Sequence, residues 1–154
     1  MGHDLDIDLG CFVDSEEEKK EISDLLEKNG CALKYQYTAD GLGIVEESYM
    51  CNKVKFDVNY YVNEDSSSIC YLLYDDPQNY SPDFMSVVKL SCDKIEEIVP
   101  YKWNGMVVNV PKNPEQYLAQ RYGENWRIPD KNYVYWKGPS TTPISEKGYR
   151  KIGK

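Results

Sequence analysis

Apolar and polar positions alternate with period two over the first residues of the chain. Leu5, Ile7, Leu9, Cys11 and Val13 fall on one side, and Asp4, Asp6, Asp8, Gly10 and Phe12 on the other. That period predicts a β-strand with one apolar face and one carboxylate face. The strand is expected to end near Asp14. Ser15 then stands as an N-cap, and Glu18 three residues later closes a capping box. Glu16 and Glu17 in the first turn suit the helix dipole. Ile22, Leu25 and Leu26 supply an apolar stripe, and Gly30 is a natural stop. The opening is a strand-to-helix unit.

After Gly30 the pattern turns to β. Strands are expected over 32–38 and 43–51, separated by an Asp40-Gly41 turn, and again over 53–62. In the last of these Val54, Phe56, Val58, Tyr60 and Val62 share one face, and Lys55, Asp57 and Asn59 the other. A polar turn over 63–68 leads to a strand over 69–74, and 78–84 reads as a loop. Short strands follow over 87–90 and 95–101. Asn104-Gly105 is a hairpin signal leading into 106–110. Asn113-Pro114-Glu115-Gln116 marks a helix start, with Pro at the first turn, and Gly123 marks its stop as a C′ residue of positive φ. From Gly138 onward Pro, Ser, Thr, Gly and Lys dominate. This predicts one α+β domain over 1–137 and a loosely ordered tail over 138–154.

Charge adds an asymmetry. The chain has 154 residues and a formal net charge of −8. Residues 1–77 hold 18 acidic and 6 basic side chains, and residues 78–154 hold 8 and 12. The overall acidity argues against nucleic-acid binding, which needs a basic face to displace counterions. Either the acidic front is a solvated surface, or some of its carboxylates hold a cation. No run of about 18 apolar residues is present, so no membrane span is expected. Asp4, Asp6 and Asp8 stand where a signal peptide would need basic and then apolar residues, which points to a cytoplasmic chain. The five cysteines contain no C-x-x-C spacing and read as isolated thiols packed as small hydrophobes.

Asp4, Asp6 and Asp8 lie at i, i+2 and i+4 of one strand. Same-face neighbours are about 6.5–7 Å apart along a strand, close enough for flexible carboxylates to converge on one hard cation. Several like charges on one face are costly without a cation or solvent to offset them. Oxygen ligands select Mg²⁺, Mn²⁺ or Ca²⁺ over zinc. An EF-hand loop fails: its sixth position would be Leu9 rather than Gly, and its twelfth Ser15 rather than Glu. His3 is the single histidine, so nothing supports a Ser-His-Asp, Cys-His or His-Asp centre. A paired acidic motif on one strand, with Asp57 on the polar face of a later strand, suits metal-dependent phosphoryl or nucleotidyl transfer. In such sites the ions offset phosphate charge and orient in-line attack.

These residues resemble a known family. His3-Asp4-Leu5-Asp6-Ile7-Asp8-Leu9-Gly10 is similar to the acidic motif of the LicD and fukutin group, and Lys55-Phe56-Asp57-Val58 to that group's later strand. The family's C-terminal signature resembles Trp103-Asn104-Gly105, Val108-Asn109-Val110-Pro111, Pro114-Glu115-Gln116-Tyr117-Leu118 and the block Arg121-Tyr122-Gly123-Glu124-Asn125-Trp126-Arg127-Ile128-Pro129. The three blocks occur in family order over roughly residues 3–137. The resemblance implies a nucleotidyltransferase-like mixed β-sheet flanked by helices. It also implies transfer of an alcohol phosphate, such as phosphocholine or ribitol phosphate, from a CDP-activated donor to a glycan acceptor with Mg²⁺ or Mn²⁺. Position by position, Asp6 and Asp8 match the metal-binding pair, Asp4 the leading acidic position and Asp57 the third carboxylate. Asp6, Asp8 and Asp57 are thus the implied catalytic carboxylates.

Family members carry a helix and a Gly-rich G-t-L-L-G-x-x-R stretch before the acidic motif, where backbone N–H groups would meet donor phosphates. Here the motif begins at residue 4, so the resemblance implies an N-terminally truncated member. It also implies, as an alternative location, the Golgi lumen, reached through an anchor that has been lost. Arg121 and Arg127 are candidate contacts for donor phosphate. Tyr122 and Trp126 are candidate stacking surfaces for a base or sugar, and Gly123 lies between these pairs. The alternative to an enzyme is a non-catalytic pseudoenzyme or glycan-binding module that keeps the fold.

Overall fold

The computed structural model describes residues 6–153. The chain is mixed α+β, with far more strand than helix. Its elements are β1 (Asp6–Phe12), α1 (Glu16–Lys28), β2 (Ala32–Ala39), β3 (Gly43–Cys51), β4 (Val54–Asn63), β5 (Ser67–Tyr74), β6 (Met85–Asp93), β7 (Ile98–Trp103), β8 (Met106–Pro111), α2 (Pro114–Tyr122), a single 3-10 turn (Tyr135–Lys137) and β9 (Thr141–Ile152).

Seven strands form one sheet in the order β1-β4-β3-β2-β9-β6-β5. β1 and β4 run parallel, and the other pairs are antiparallel. The sheet curls until β5 returns to β4, where Val62 pairs with Ile69 and Asn63 with Ser68. Six strands therefore close a ring, and β1 branches from it along the Lys55–Tyr61 stretch of β4. Closure leaves an inner and an outer face on every strand, and the period-two alternation sorts residues between them.

The outer face of β3 and β4 carries α1. Ser15 caps the helix by accepting from the Glu18 N–H at 3.2 Å, and Glu18 reaches back to the Asp14 N–H at 2.6 Å. Ile22 and Leu26 pack on Val13, Cys31, Tyr49, Val58 and Tyr60. Leu25 points away and is exposed, so the apolar stripe is narrower than the sequence implies. Within this layer Glu47 is 1% exposed and accepts from Gln36 Nε2 at 2.8 Å, Tyr49 Oη at 2.8 Å and Tyr60 Oη at 2.7 Å. Three donors around one carboxylate meet the requirement that a buried polar group be hydrogen-bonded.

The inner face holds a second core of Tyr61, Cys70, Leu72, Tyr74, Val88 and Leu90. Trp136 stacks on Tyr74 at 5.0 Å. α2 is tied to the ring by Tyr117, whose hydroxyl lies 2.9 Å from that of Tyr61, and by Gln116, which donates to Asp93 Oδ2 at 2.7 Å. The Tyr61 ring lies over Gly10, where an added Cβ would stand 3.2 Å from Tyr61 Cε2. β7 and β8 form a separate hairpin closed by Asn104 (φ 47°) and Gly105 (φ 80°), the two positive values its tight turn needs. No helix among the described residues is long and apolar enough to cross a membrane. The five cysteines are all free thiols.

The sequence departs from the structure most at its C-terminal end. The stretch read as a loosely ordered tail is β9, inserted between β2 and β6 near the middle of the sheet. Pro143 and Gly148 hide it. Pro143 pairs with Val88, and between Ile144 and Lys147 the register with β6 slips by an irregularity, so the alternation breaks. Gly148 is required there because a Cβ would stand 2.4 Å from Leu73 Cδ2.

Candidate functional site

Inner-face residues that face each other across the ladders form two rows. In one, Asp8 lies opposite Asp57, and Asp57 opposite Ser48. In the next, Gly10 lies opposite Asn59, Asn59 opposite Glu46, Glu46 opposite Tyr37, and Tyr37 opposite Arg150. These rows floor a cavity of about 560 Å³, whose walls include Tyr61, Tyr117, Arg121, Tyr122 and Tyr135. Its size is that of a small-molecule site, and its lining mixes apolar, aromatic and charged groups.

Asp57 is 7% exposed. Its Oδ1 accepts from Ser48 Oγ at 2.5 Å, and its Oδ2 from Lys55 Nζ at 2.9 Å. Lys55 stands two residues before Asp57 on the same face, so one strand supplies both the carboxylate and its ammonium neighbour. Asp8 comes from β1, and the parallel register sets it beside Asp57 in the cavity. Two hard carboxylates at this spacing offer oxygen donors of the kind that suit Mg²⁺ or Mn²⁺. The Asp6 backbone pairs with Lys55, but its side chain, like the whole of Asp4, lies outside the described residues. Among the described residues no group of three or more His, Cys, Asp or Glu side chains is arranged to hold a metal ion.

The opposite wall comes from α2 and the segment after it. Arg121 donates to Tyr133 Oη at 3.4 Å and to the Tyr135 carbonyl at 3.3 Å, and lies 5.5 Å from the centre of the Tyr122 ring. Tyr133 donates in turn to the Arg121 carbonyl at 3.1 Å, and Tyr135 to the Leu73 carbonyl at 2.7 Å. Burial holds the Tyr61, Tyr117 and Tyr135 hydroxyls protonated, with Tyr117 pushed up to about 12. Burial also pushes the Cys70 thiol up to about 12, which makes it an inert lining group rather than a nucleophile.

Of the residues singled out from the sequence, the cavity collects Asp8, Asp57, Arg121 and Tyr122. Gly123, Trp126 and Arg127 are not among its lining residues. Gly123 ends α2 at φ 92°, as its place after the helix implies. Arg127 pairs with Glu115 at 2.5 Å and lies 4.3 Å from the centre of the Trp126 ring, so these two side chains brace α2 from outside. Tyr37, Glu46, Lys55, Asn59, Tyr61, Tyr117, Tyr135 and Arg150 also line the cavity, and they are not among the candidates the sequence offers. Lys55 and Asn59 were legible, because they share the polar face of Asp57. Arg150 was not, because its strand was hidden. No family model, curated protein or solved structure matches the chain.

Proposed function

We propose that the chain is a metal-dependent phosphotransferase of LicD and fukutin type with a nucleotidyltransferase-like fold. On this reading it moves an alcohol phosphate from a CDP-activated donor to a glycan acceptor. The observation that carries it is the pairing of Asp8 with Asp57 on neighbouring parallel strands inside a cavity that also holds Arg121. Asp6, Asp8 and Asp57 would hold Mg²⁺ or Mn²⁺, Asp4 being the leading acidic position of the same motif, and the ion would offset charge on the transferring phosphate. Ser48 fixes the Asp57 carboxylate. Lys55 supplies a positive charge beside Asp57, and Arg121 is placed to donate to phosphate oxygens. Calorimetry with Mn²⁺ and CDP tests this. The expected result is CDP binding that requires Mn²⁺ and is lost in Asp8→Asn and Asp57→Asn; binding that ignores the metal would sink it.

A second reading has its own observation. Lys55 Nζ lies 2.9 Å from Asp57 Oδ2, so an internal ammonium already contacts the carboxylate that a cation would use. That arrangement favours a non-catalytic pseudoenzyme or glycan-binding module that keeps the fold. A transfer assay with labelled CDP donor separates the two. Turnover abolished by Asp8→Ala would reject the module.

A further inference from the structure

α1 leaves part of its apolar stripe uncovered. Glu18, Glu21, Ile22 and Leu25 fall at i, i+3, i+4 and i+7, one helix face about 10 Å long. Ile22 packs on the core, but Leu25 is 60% exposed. This face borders a groove of about 480 Å³, whose other side is the end of β1 with Tyr61 behind it. Phe12 there is 39% exposed, and its ring centre lies 5.7 Å from that of Tyr61. The groove therefore has an apolar floor of Phe12, Ile22, Leu25 and Tyr61. Its rim carries the exposed carboxylates of Asp14, Glu18 and Glu21. Glu18 is fixed at that rim by the Asp14 N–H. The lining holds no Lys, Arg or His. None of the ion pairs among the described residues involves the three rim carboxylates. Among the described residues Tyr61 is the one side chain common to this groove and the cavity of Asp8 and Asp57, so the groove is a separate surface.

Floor and rim together set the occupant. Covering Phe12 and Leu25 removes apolar surface from water, which favours an apolar ligand. Three like charges around that strip favour a cationic one. An anionic lipid surface or a nucleic acid brings negative charge to the same carboxylates, so the sign of the rim opposes both. Apolar and acidic side chains alternate along α1 at helical spacing, and a second helix laid beside it can match both rows at once. We infer that this groove docks a basic amphipathic helix of a partner protein. Its apolar residues cover Phe12 and Leu25, and its Lys or Arg residues meet Asp14, Glu18 and Glu21. The inference is independent of the phosphotransferase reading.

Fluorescence anisotropy on the full chain tests this, with a labelled peptide of about 14 residues built from Leu and Lys at amphipathic helical spacing. The native chain is expected to bind it saturably. Leu25→Gln should weaken binding about 10-fold, the size of a lost apolar anchor. Gln is a good helix former and Leu25 is exposed, so the variant should unfold at the same urea concentration as the native chain. Glu21→Gln should weaken binding about 3-fold at low salt and flatten its salt dependence. Ile98→Gln, at an exposed apolar residue of β7, should leave the affinity unchanged. A peptide of the same composition with Leu and Lys scrambled off the helical spacing should bind about 10-fold more weakly or worse. No saturable binding by the native chain overturns the inference, as does native affinity in either Leu25→Gln or Glu21→Gln. Equal affinity for the scrambled peptide overturns it by reducing the contact to net charge. Leu25-dependent sedimentation with phosphatidylserine vesicles overturns it by making the groove a membrane surface.

Discussion

Ending the chain after Gly138 removes β9 and tests the ring directly. β9 makes five register pairs with β2 and six with β6. Each lost pair gives up about one backbone hydrogen bond on average, worth a net of roughly 1 kcal/mol. The loss is therefore on the order of 10 kcal/mol, as large as the whole stability of an ordinary domain at about 5–15 kcal/mol. The cut also opens the core of Ala39, Val45, Leu73 and Val87, against which Ile144 packs. The shortened chain is expected to lack a cooperative urea transition followed by circular dichroism. A synthetic peptide covering 139–154, added in trans, should restore part of the strand signal. If the shortened chain unfolds cooperatively with the same denaturant slope as the full chain, β9 is not an interior strand and the ring is wrong.

Three further outcomes follow from particular contacts. Glu47→Ala strands the donors of Gln36, Tyr49 and Tyr60 in a buried layer and should cost about 3–5 kcal/mol in urea unfolding; a cost below about 1 kcal/mol would mean that those groups reach water. Burial raises the pKa of Tyr49, Tyr60, Tyr61 and Tyr135 above the ordinary value near 10, so their contribution to stability is complete below pH about 10 and is lost as pH rises further, because the unfolded chain ionises first. Tyrosinate absorbance should accordingly appear in a late, cooperative step together with loss of circular dichroism, and a smooth titration of all tyrosines near pH 10 would contradict this. Arg127→Ala removes an exposed pair with Glu115, so it should cost no more than about 1 kcal/mol and leave CDP affinity unchanged, whereas Arg121→Ala should weaken CDP binding about 10-fold or more; equal effects on CDP affinity would put the Trp126-Arg127 brace inside the site.

The alternation of β1 and β4 was legible because each strand has one face packed and one turned inward, and period two reports that division without knowledge of the partner strands. It was enough to put Asp8 and Asp57 on inner faces, but the register that makes them neighbours depends on which strands pair, and no local pattern carries that. α1 was legible through Ser15 and Glu18, although Glu18 closes the turn onto Asp14. Arg127 and Trp126 stack on each other outside the cavity lining, and a residue near a helix stop reads the same whether it faces a cavity or stacks on its neighbour. β9 was hidden by Pro143 and Gly148, two residues that ordinarily break strands and that a register irregularity and a close approach to Leu73 explain. That one missing strand also changes the meaning of the charge asymmetry. The acidic first half supplies Asp8, Glu46 and Asp57, and the basic second half supplies Arg121 and Arg150. Arg150, on β9 opposite Tyr37, and Arg121, on α2, face those carboxylates across one cavity, a juxtaposition that depends on strand pairing and not on the order of charges along the chain.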